Sequence, residues 1–171
     1  MACGAVKFGE FTLTSGAKSP YYVDVKQAMT DPGTLRAIAD AMAAITRRDG
    51  PFDAVAGMEL GAVPLATAVS LATDLPLLIV RKGERAHGTG KRIEGPDAAG
   101  LHVFVVEDVT TSGGSTVEAV RVLRDAGATV THASVVVDRE SGGAGALSAV
   151  GVTLHPLVRA SELLEGREVN P

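Results

Sequence analysis

Two kinds of apolar run alternate along this 171-residue chain. Short stretches rich in valine, leucine and isoleucine have the length of buried strands, while longer ones place apolar residues every three or four positions, as helices do. Residues 10–25 read as two short strands, around 11–13 and 21–25, joined by Thr14-Ser15-Gly16-Ala17-Lys18-Ser19-Pro20. Asp31-Pro32 opens a helix in which Leu35, Ile38, Ala39, Met42 and Ile45 recur at helical spacing until Gly50-Pro51 stops it. A strand at 54–56, the turn Gly57-Met58-Glu59-Leu60-Gly61 and a helix of buried composition at 63–73 follow. A strand at 76–80 then enters an aperiodic stretch, 81–100, which predicts one long loop. The remainder predicts a strand at 103–106, a helix at 116–126 closed by Gly127, strands at 129–137 and 150–157, and a short helix at 160–165. Alternating strands and helices predict an α/β fold: a central, mostly parallel sheet flanked by helices, in one domain spanning 1–171.

Polar residues gather where predicted strands end. Residues 103–106 run into Glu107-Asp108 and then into Val109, Thr110, Thr111, Ser112, Gly113, Gly114 and Ser115 before the next helix. A buried parallel strand delivers its terminal charges to the carboxyl edge of the sheet, where open α/β sheets bind ligands. Small residues in the next turn let amides approach a phosphate, and the following helix adds its dipole. These features predict a cradle for a ribose 5-phosphate. The strand at 76–80 feeds Arg81, Lys82, Arg85, Lys91 and Arg92, interrupted by Glu84 alone, an arrangement suited to an anion-binding lid. His87 is read as a phosphate contact by its neighbours. His102, His132 and His155 fall at or in predicted strands and are read as structural. Arg139 follows the strand at 129–137, where it can pair with Asp138 or Glu140 or serve a ligand. The hairpin likewise fits a plain surface element or, with Lys18, Tyr21 and Tyr22, a cover over a flat ligand; periodicity alone favours the first.

Composition narrows the classes. With 46% hydrophobic and 21% charged residues the chain is globular rather than disordered. No apolar run approaches the ~20 residues of a membrane span and no signal pattern opens the chain, so a cytoplasmic location is the default expectation. Cys3 is the single cysteine, which excludes an internal disulfide framework or a multi-cysteine metal site. A net charge of -4 argues against broad nucleic-acid binding, so any anion must meet locally placed cations.

The stretch from Val103 to Ser115 resembles the phosphoribosyl pyrophosphate (PRPP) signature of type I phosphoribosyltransferases. Three further segments resemble the orotate phosphoribosyltransferases of that family: Phe8-Gly9-Glu10-Phe11-Thr12-Leu13-Thr14-Ser15-Gly16 with Lys18-Ser19-Pro20-Tyr21-Tyr22, then Arg81-Lys82 through His87-Gly88, and Val137-Asp138-Arg139. This resemblance covers nearly the whole chain. It implies the type I phosphoribosyltransferase fold with a small N-terminal hood, formed near residues 1–30. It also implies transfer of the 5-phosphoribosyl group from PRPP to orotate, in the presence of Mg²⁺, within pyrimidine biosynthesis.

Carried over by position, Glu107 and Asp108 would contact the ribose hydroxyls and lie near a Mg²⁺ held mainly by PRPP and water, with no direct protein ligand. Val109, Thr110, Thr111, Ser112, Gly113, Gly114 and Ser115 would enclose the 5-phosphate. Arg81, Lys82, Arg85 and His87 would bind pyrophosphate, with Lys82, Arg85 and Asp108 counted as catalytic. Arg139, Thr111, Lys18, Tyr21 and Tyr22 would form the orotate site. The lid, 81–92, would reach into the neighbouring active site of a homodimer; neither nucleic acid nor membrane is implied. No covalent nucleophile is required, in keeping with the absence of a Ser-His or Cys-His constellation.

The chain departs from the family pattern in places. Thr14 and Glu59-Leu60-Gly61 stand where relatives carry ligand-contacting lysines, and Arg85 stands where a lid lysine is common. Relatives also carry a helix before Phe8-Gly9-Glu10, so a reduced hood or dimer surface is expected. The competing readings are a purine phosphoribosyltransferase, which should lack the hairpin and Arg139 features, and a non-catalytic PRPP-sensing regulator, against which stands the absence of any appended helix-turn-helix segment.

Overall fold

The computed structural model describes residues 4–12, 18–83 and 91–164. Strands β1 (Val6–Thr12) and β2 (Lys18–Val23) pair antiparallel into a two-stranded sheet of their own. Val25 belongs to no strand, contrary to expectation. The Asp24 side chain accepts a hydrogen bond from the Gln27 amide at 3.2 Å, caps the short helix α1 (Val25–Met29) and so ends the strand at Val23. The joining residues 13–17, including Thr14, lie outside the described residues.

Helix α2 (Pro32–Asp49) starts as expected, with the Asp31 carboxylate accepting from the Thr34 amide at 2.7 Å and proline in the first turn. Strand β3 (Ala54–Met58), helix α3 (Val63–Thr73) and strand β4 (Leu77–Val80) follow. Helix α3 buries one face through Leu65, Ala66 and Val69 but leaves Leu71 78% exposed, so its uniformly apolar composition overstated its burial. Within the predicted loop 81–100 the structure adds β5 (Ile93–Glu94), which pairs antiparallel with β4. Two residues are too few for periodicity to register.

Strand β6 (His102–Thr110) continues through Glu107-Asp108 rather than ending before them. Its register with β7 (Thr129–Asp138) runs on through Glu107↔Val135 and Thr110↔Asp138, so backbone pairing carries the carboxylates inside the sheet. Helix α4 (Gly114–Asp125) crosses over between them, and Gly127, at φ 88°, closes it. A helix that the sequence reading missed, α5 (Gly143–Ala149), stands where Gly142, Gly143 and Gly145 suggested only loop. Val150 caps this helix, so β8 (Thr153–Arg159) begins later than the expected strand; α6 (Ala160–Leu164) follows.

The large sheet has the order β5-β4-β3-β6-β7-β8, parallel except for β5. Its central strands β3, β6 and β7 are buried on both faces over most of their length, which explains their near-continuous apolar runs. On one face Val103, Val105 and Val130 meet Val120 and Leu123 of α4 and Leu147 of α5. On the other, Val55, Phe104 and Val106 meet Met42 of α2, and Leu65 and Val69 of α3.

Gly57 marks a tight contact between β3 and the start of α3. A Cβ there would lie 2.9 Å from both the Ala62 carbonyl oxygen and the Ala66 Cβ. Gly57→Ala is therefore expected to cost about 1–3 kcal/mol of stability through overpacking. Urea unfolding measures this as a lower midpoint; an unchanged midpoint would mean that α3 slides freely on β3.

Candidate functional site

The parallel strands present their carboxyl ends along one edge. The sheet order runs from β3 to β4 on one side and from β6 to β7 on the other, leaving the crevice where an open α/β sheet takes a ligand between β3 and β6. Glu107 and Asp108 stand at this crevice, on alternate faces of β6. Glu107 is only 7% exposed. Its Oε1 accepts from the Asp108 amide at 3.2 Å and its Oε2 from the Thr116 hydroxyl at 3.4 Å. Burial first, and then the adjacent Asp108 charge, push the Glu107 carboxyl up to about 7. Asp108 is half-buried, and its Oδ1 accepts from the Val109 amide at 2.8 Å. A Cβ on Gly61 would stand 2.7 Å from Asp108 Oδ2, so a larger residue at 61 would displace this carboxylate.

Past β6, Thr111 and Ser112 are exposed and Gly113 turns the chain at φ 81°. No side chain caps α4, which leaves its first-turn amides able to receive an anion beside the hydroxyls of Thr111, Ser112 and Ser115. Thr110 is buried, and its Oγ1 has no hydrogen-bond partner. Gly143 seats α5 against this turn: a Cβ there would meet Thr110 Oγ1 at 2.6 Å and the Thr111 carbonyl oxygen at 2.9 Å.

At the neighbouring strand end, the Arg139 amide donates to the Thr110 carbonyl at 2.9 Å, and the Arg139 guanidinium lies 4.8 Å from the centroid of the Tyr21 ring. The two carboxylates beside Arg139 each accept from a backbone amide, Asp138 from Glu140 and Glu140 from Ser161, both at 2.8 Å. Tyr21 is buried beside Arg139, whereas Lys18 and Tyr22 occupy the opposite face of β2. There Lys18 Nζ contacts Glu10 at 2.8 Å and the Tyr22 ring lies 5.6 Å from that of Phe11.

The basic segment is anchored at both ends. The Arg81 amide donates to the Arg92 carbonyl at 2.8 Å, and Arg92 Nη2 donates back to the Arg81 carbonyl at 2.9 Å and to Glu118 at 2.6 Å. Arg81 Nη1 lies 3.6 Å from Glu94, while Lys82 is exposed and its amide donates to Glu59 Oε1 at 2.9 Å. Arg85 and His87 lie outside the described residues. The turn 57–61 was also open to a phosphate or ribose contact, but the bond from the Lys82 amide to Glu59 was missed; the place of Glu59 at a strand end beside the basic segment was the available signal.

The phosphoribosyl transferase domain family matches residues 25–146. The chain is 51% identical over 166 residues to the orotate phosphoribosyltransferase of Thermococcus gammatolerans, covering 96% of this chain and 88% of that one. The crystal structure of orotate phosphoribosyltransferase from Aeropyrum pernix superposes with a TM-score of 0.86 at 34% identity, over 96% of this chain and 93% of the other. That of the Mycobacterium tuberculosis H37Rv orotate phosphoribosyltransferase in complex with PRPP superposes with a TM-score of 0.77 at 34% identity, over 90% and 88%.

The raised Glu107 carboxyl links stability to pH. In the folded chain it keeps its proton to a higher pH than in the unfolded chain, so its contribution is full below its ordinary value of 4.5 and is lost as pH rises through about 7. Glu107→Gln, which is neutral throughout, is therefore expected to be more stable than the parent above pH 7, by an amount on the order of 2–3 kcal/mol relative to the difference at low pH. Urea midpoints of both chains at acid and alkaline pH test this; a pH-independent difference would overturn it.

Proposed function

The chain belongs to the phosphoribosyl transferase family, among its orotate phosphoribosyltransferases, and from that premise we propose how its residues divide the transfer of a 5-phosphoribosyl group from PRPP to orotate. The products are orotidine 5'-phosphate and pyrophosphate. The orotate ring nitrogen, giving up its proton to solvent, forms a bond to the ribose anomeric carbon as the bond from that carbon to pyrophosphate breaks, with the electron pair leaving on the pyrophosphate oxygen. Positive charge develops on the ribose ring. Catalysis thus consists of alignment and of stabilising the departing anion.

The observation that carries this reading is the meeting of two sites at one sheet edge: an uncapped helix start after Glu107-Asp108, and Arg139 held over Tyr21 at the adjacent strand end. In the proposed arrangement Val109, Thr110, Thr111, Ser112, Gly113, Gly114 and Ser115 enclose the 5-phosphate, with the α4 amides supplying donors. Asp108, and Glu107 behind it, receive the ribose hydroxyls. Arg139 offers a planar fork to the orotate carboxylate, and Tyr21 keeps the guanidinium in place. Thr111 adds a hydroxyl on the acceptor side. Lys18 and Tyr22 reach the acceptor only if the hairpin shifts, because they lie on its other face. Lys82 and Arg85, with Arg81 and His87, neutralise pyrophosphate.

The residues present fit a Mg²⁺ ion brought in with PRPP. Two carboxyl groups share the crevice, and Glu107 is pushed up by burial and by Asp108, a pairing that a dication relieves. Mg²⁺, when bound, would offset pyrophosphate charge, held mainly by substrate oxygens and water. A homodimer with lids exchanged is the proposed assembly, supported by α3, which has no charged residue and leaves Leu71 exposed. The proposal places this single-domain enzyme in the cytoplasm. No helix among the described residues is long and apolar enough to cross a membrane.

Orotate consumption with PRPP and Mg²⁺ tests the assignment. Arg139→Ala is expected to raise the orotate KM about 10- to 100-fold, from loss of charge-assisted hydrogen bonds worth roughly 1.5–3 kcal/mol. Arg85→Ala should instead lower kcat, by about 100-fold or more. Consumption of adenine or guanine in place of orotate would overturn the acceptor assignment. For the shared site, an Arg85→Ala chain mixed with an Asp108→Ala chain should regain activity; no recovery under demonstrated subunit exchange would exclude lids acting in trans.

A further inference from the structure

Three histidines lie on one face of the sheet, toward the edge opposite the carboxyl edge: His102 at the start of β6, His132 in β7 and His155 in β8. His132 precedes Asp138, the last residue of β7, by six positions, about 20 Å along the strand, so the cluster is separate from the transfer site. The His132 and His155 rings stack 15° from parallel with centroids 5.3 Å apart. Asp49, the last residue of α2, joins them, its Oδ2 lying 3.5 Å from His155 Nε2. Candidate ligand atoms of Asp49, His132 and His155 all lie within 4.8 Å of one another, which no other group of metal-ligating side chains among the described residues matches.

Hydrogen bonds fix which nitrogen of His132 is available. His102 Nδ1 lies 2.8 Å from the Pro51 carbonyl oxygen, which can only accept, so this nitrogen carries the proton. In the neutral ring His102 Nε2 is then an acceptor, and the Thr131 hydroxyl, 2.7 Å away, donates to it. With its proton spent, that hydroxyl accepts from His132 Nδ1 at 2.8 Å. His132 is left with its Nε2 lone pair unused and its ring oriented by an outer partner, as in metal-binding histidines. His155 Nε2 is buried without a hydrogen-bond partner; since Arg48 can only donate to His155 Nδ1, the neutral ring carries its proton on Nε2, and an ion bound there takes the place of that proton.

We propose that Asp49, His132 and His155 form a binding site for a borderline transition-metal dication of the Zn²⁺ or Co²⁺ type, joining the end of α2 to β7 and β8. Two imidazoles and one carboxylate suit such ions rather than Mg²⁺ or Ca²⁺, which favour all-oxygen shells. Bonds of about 2.0–2.2 Å imply ligand atoms roughly 3.3–3.6 Å apart in a tetrahedral shell; Asp49 and His155 already stand 3.5 Å apart, and His132, within 4.8 Å of both, has to draw closer on binding. Three protein ligands leave a fourth position for water, so the ion is exchangeable. Arg48 is its competitor: its guanidinium grips both Asp49 oxygens, at 2.9 and 2.7 Å, and lies 3.3 Å from His155 Nδ1. The Arg48 side chain is 64% exposed and free to swing into solvent.

Co²⁺ titration of the full chain, followed by its visible d–d absorption, tests the site. One equivalent should bind with a nitrogen-ligand spectrum. His132→Gln and His155→Gln should each weaken binding at least 10-fold, whereas Arg48→Gln should tighten it several-fold. Because Arg48 is exposed, that variant keeps the test valid should a histidine variant unfold, and Zn²⁺ should raise the melting temperature of Arg48→Gln more than that of the parent. The proposal is overturned if no spectrum develops, if it persists at equal affinity in a folded histidine variant, or if Arg48→Gln does not tighten binding.

Discussion

The constraint on which this molecule depends is the crowding of backbone around the end of β6. Three segments crowd that strand end: a Cβ at Gly143, the start of α5, would collide with Thr110 and Thr111, one at Gly61 in the loop after β3 would displace the Asp108 carboxylate, and one at Gly113 in the turn into α4 would press on Gly143. Gly61 lies against Asp108, Gly143 against Thr110 and Thr111, and Gly113 against Gly143 itself. These approaches bring elements distant in sequence to one crevice. Glu107, on the other face of β6, is buried as well, and that burial with the adjacent Asp108 charge raises its carboxyl.

The proposed division between donor and acceptor follows the sheet order. The donor half is local: one strand, one turn and one helix start carry Glu107 to Ser115. The acceptor half is composite, since Arg139 comes from the end of β7 and Tyr21 from a hairpin that contributes no strand to the main sheet. On the proposed assignment, specificity for the acceptor depends on long-range packing, while affinity for a phosphorylated sugar depends on a motif that folds largely within itself.

That difference explains what could be read from the chain. Val103 to Ser115 was legible because strand, turn and helix dictate one another over a short distance. The helix 32–49 was legible from its cap and spacing. Helix α5 was not, because glycines that normally signal a loop serve here to let Gly143 touch Thr110. The face on which Tyr21 and Tyr22 each lie was equally hidden, since a one-residue change of register exchanges them. Glu59 escaped because its partner, the Lys82 amide, is a backbone group that no sequence pattern displays. The grouping of Asp49, His132 and His155 arises from three separate elements and has no spacing to recognise.

The separate sheet formed by β1 and β2 carries one more implication. A two-stranded hairpin has little stability of its own, and this one relies on burying Tyr21 and Val23 against the body of the molecule. Its opening is therefore a subglobal event of lower free energy than full unfolding. A ligand that engages Arg139 and Tyr21 together draws on that reserve: it slows amide exchange in β1 and β2 first, and the central strands register its arrival much less.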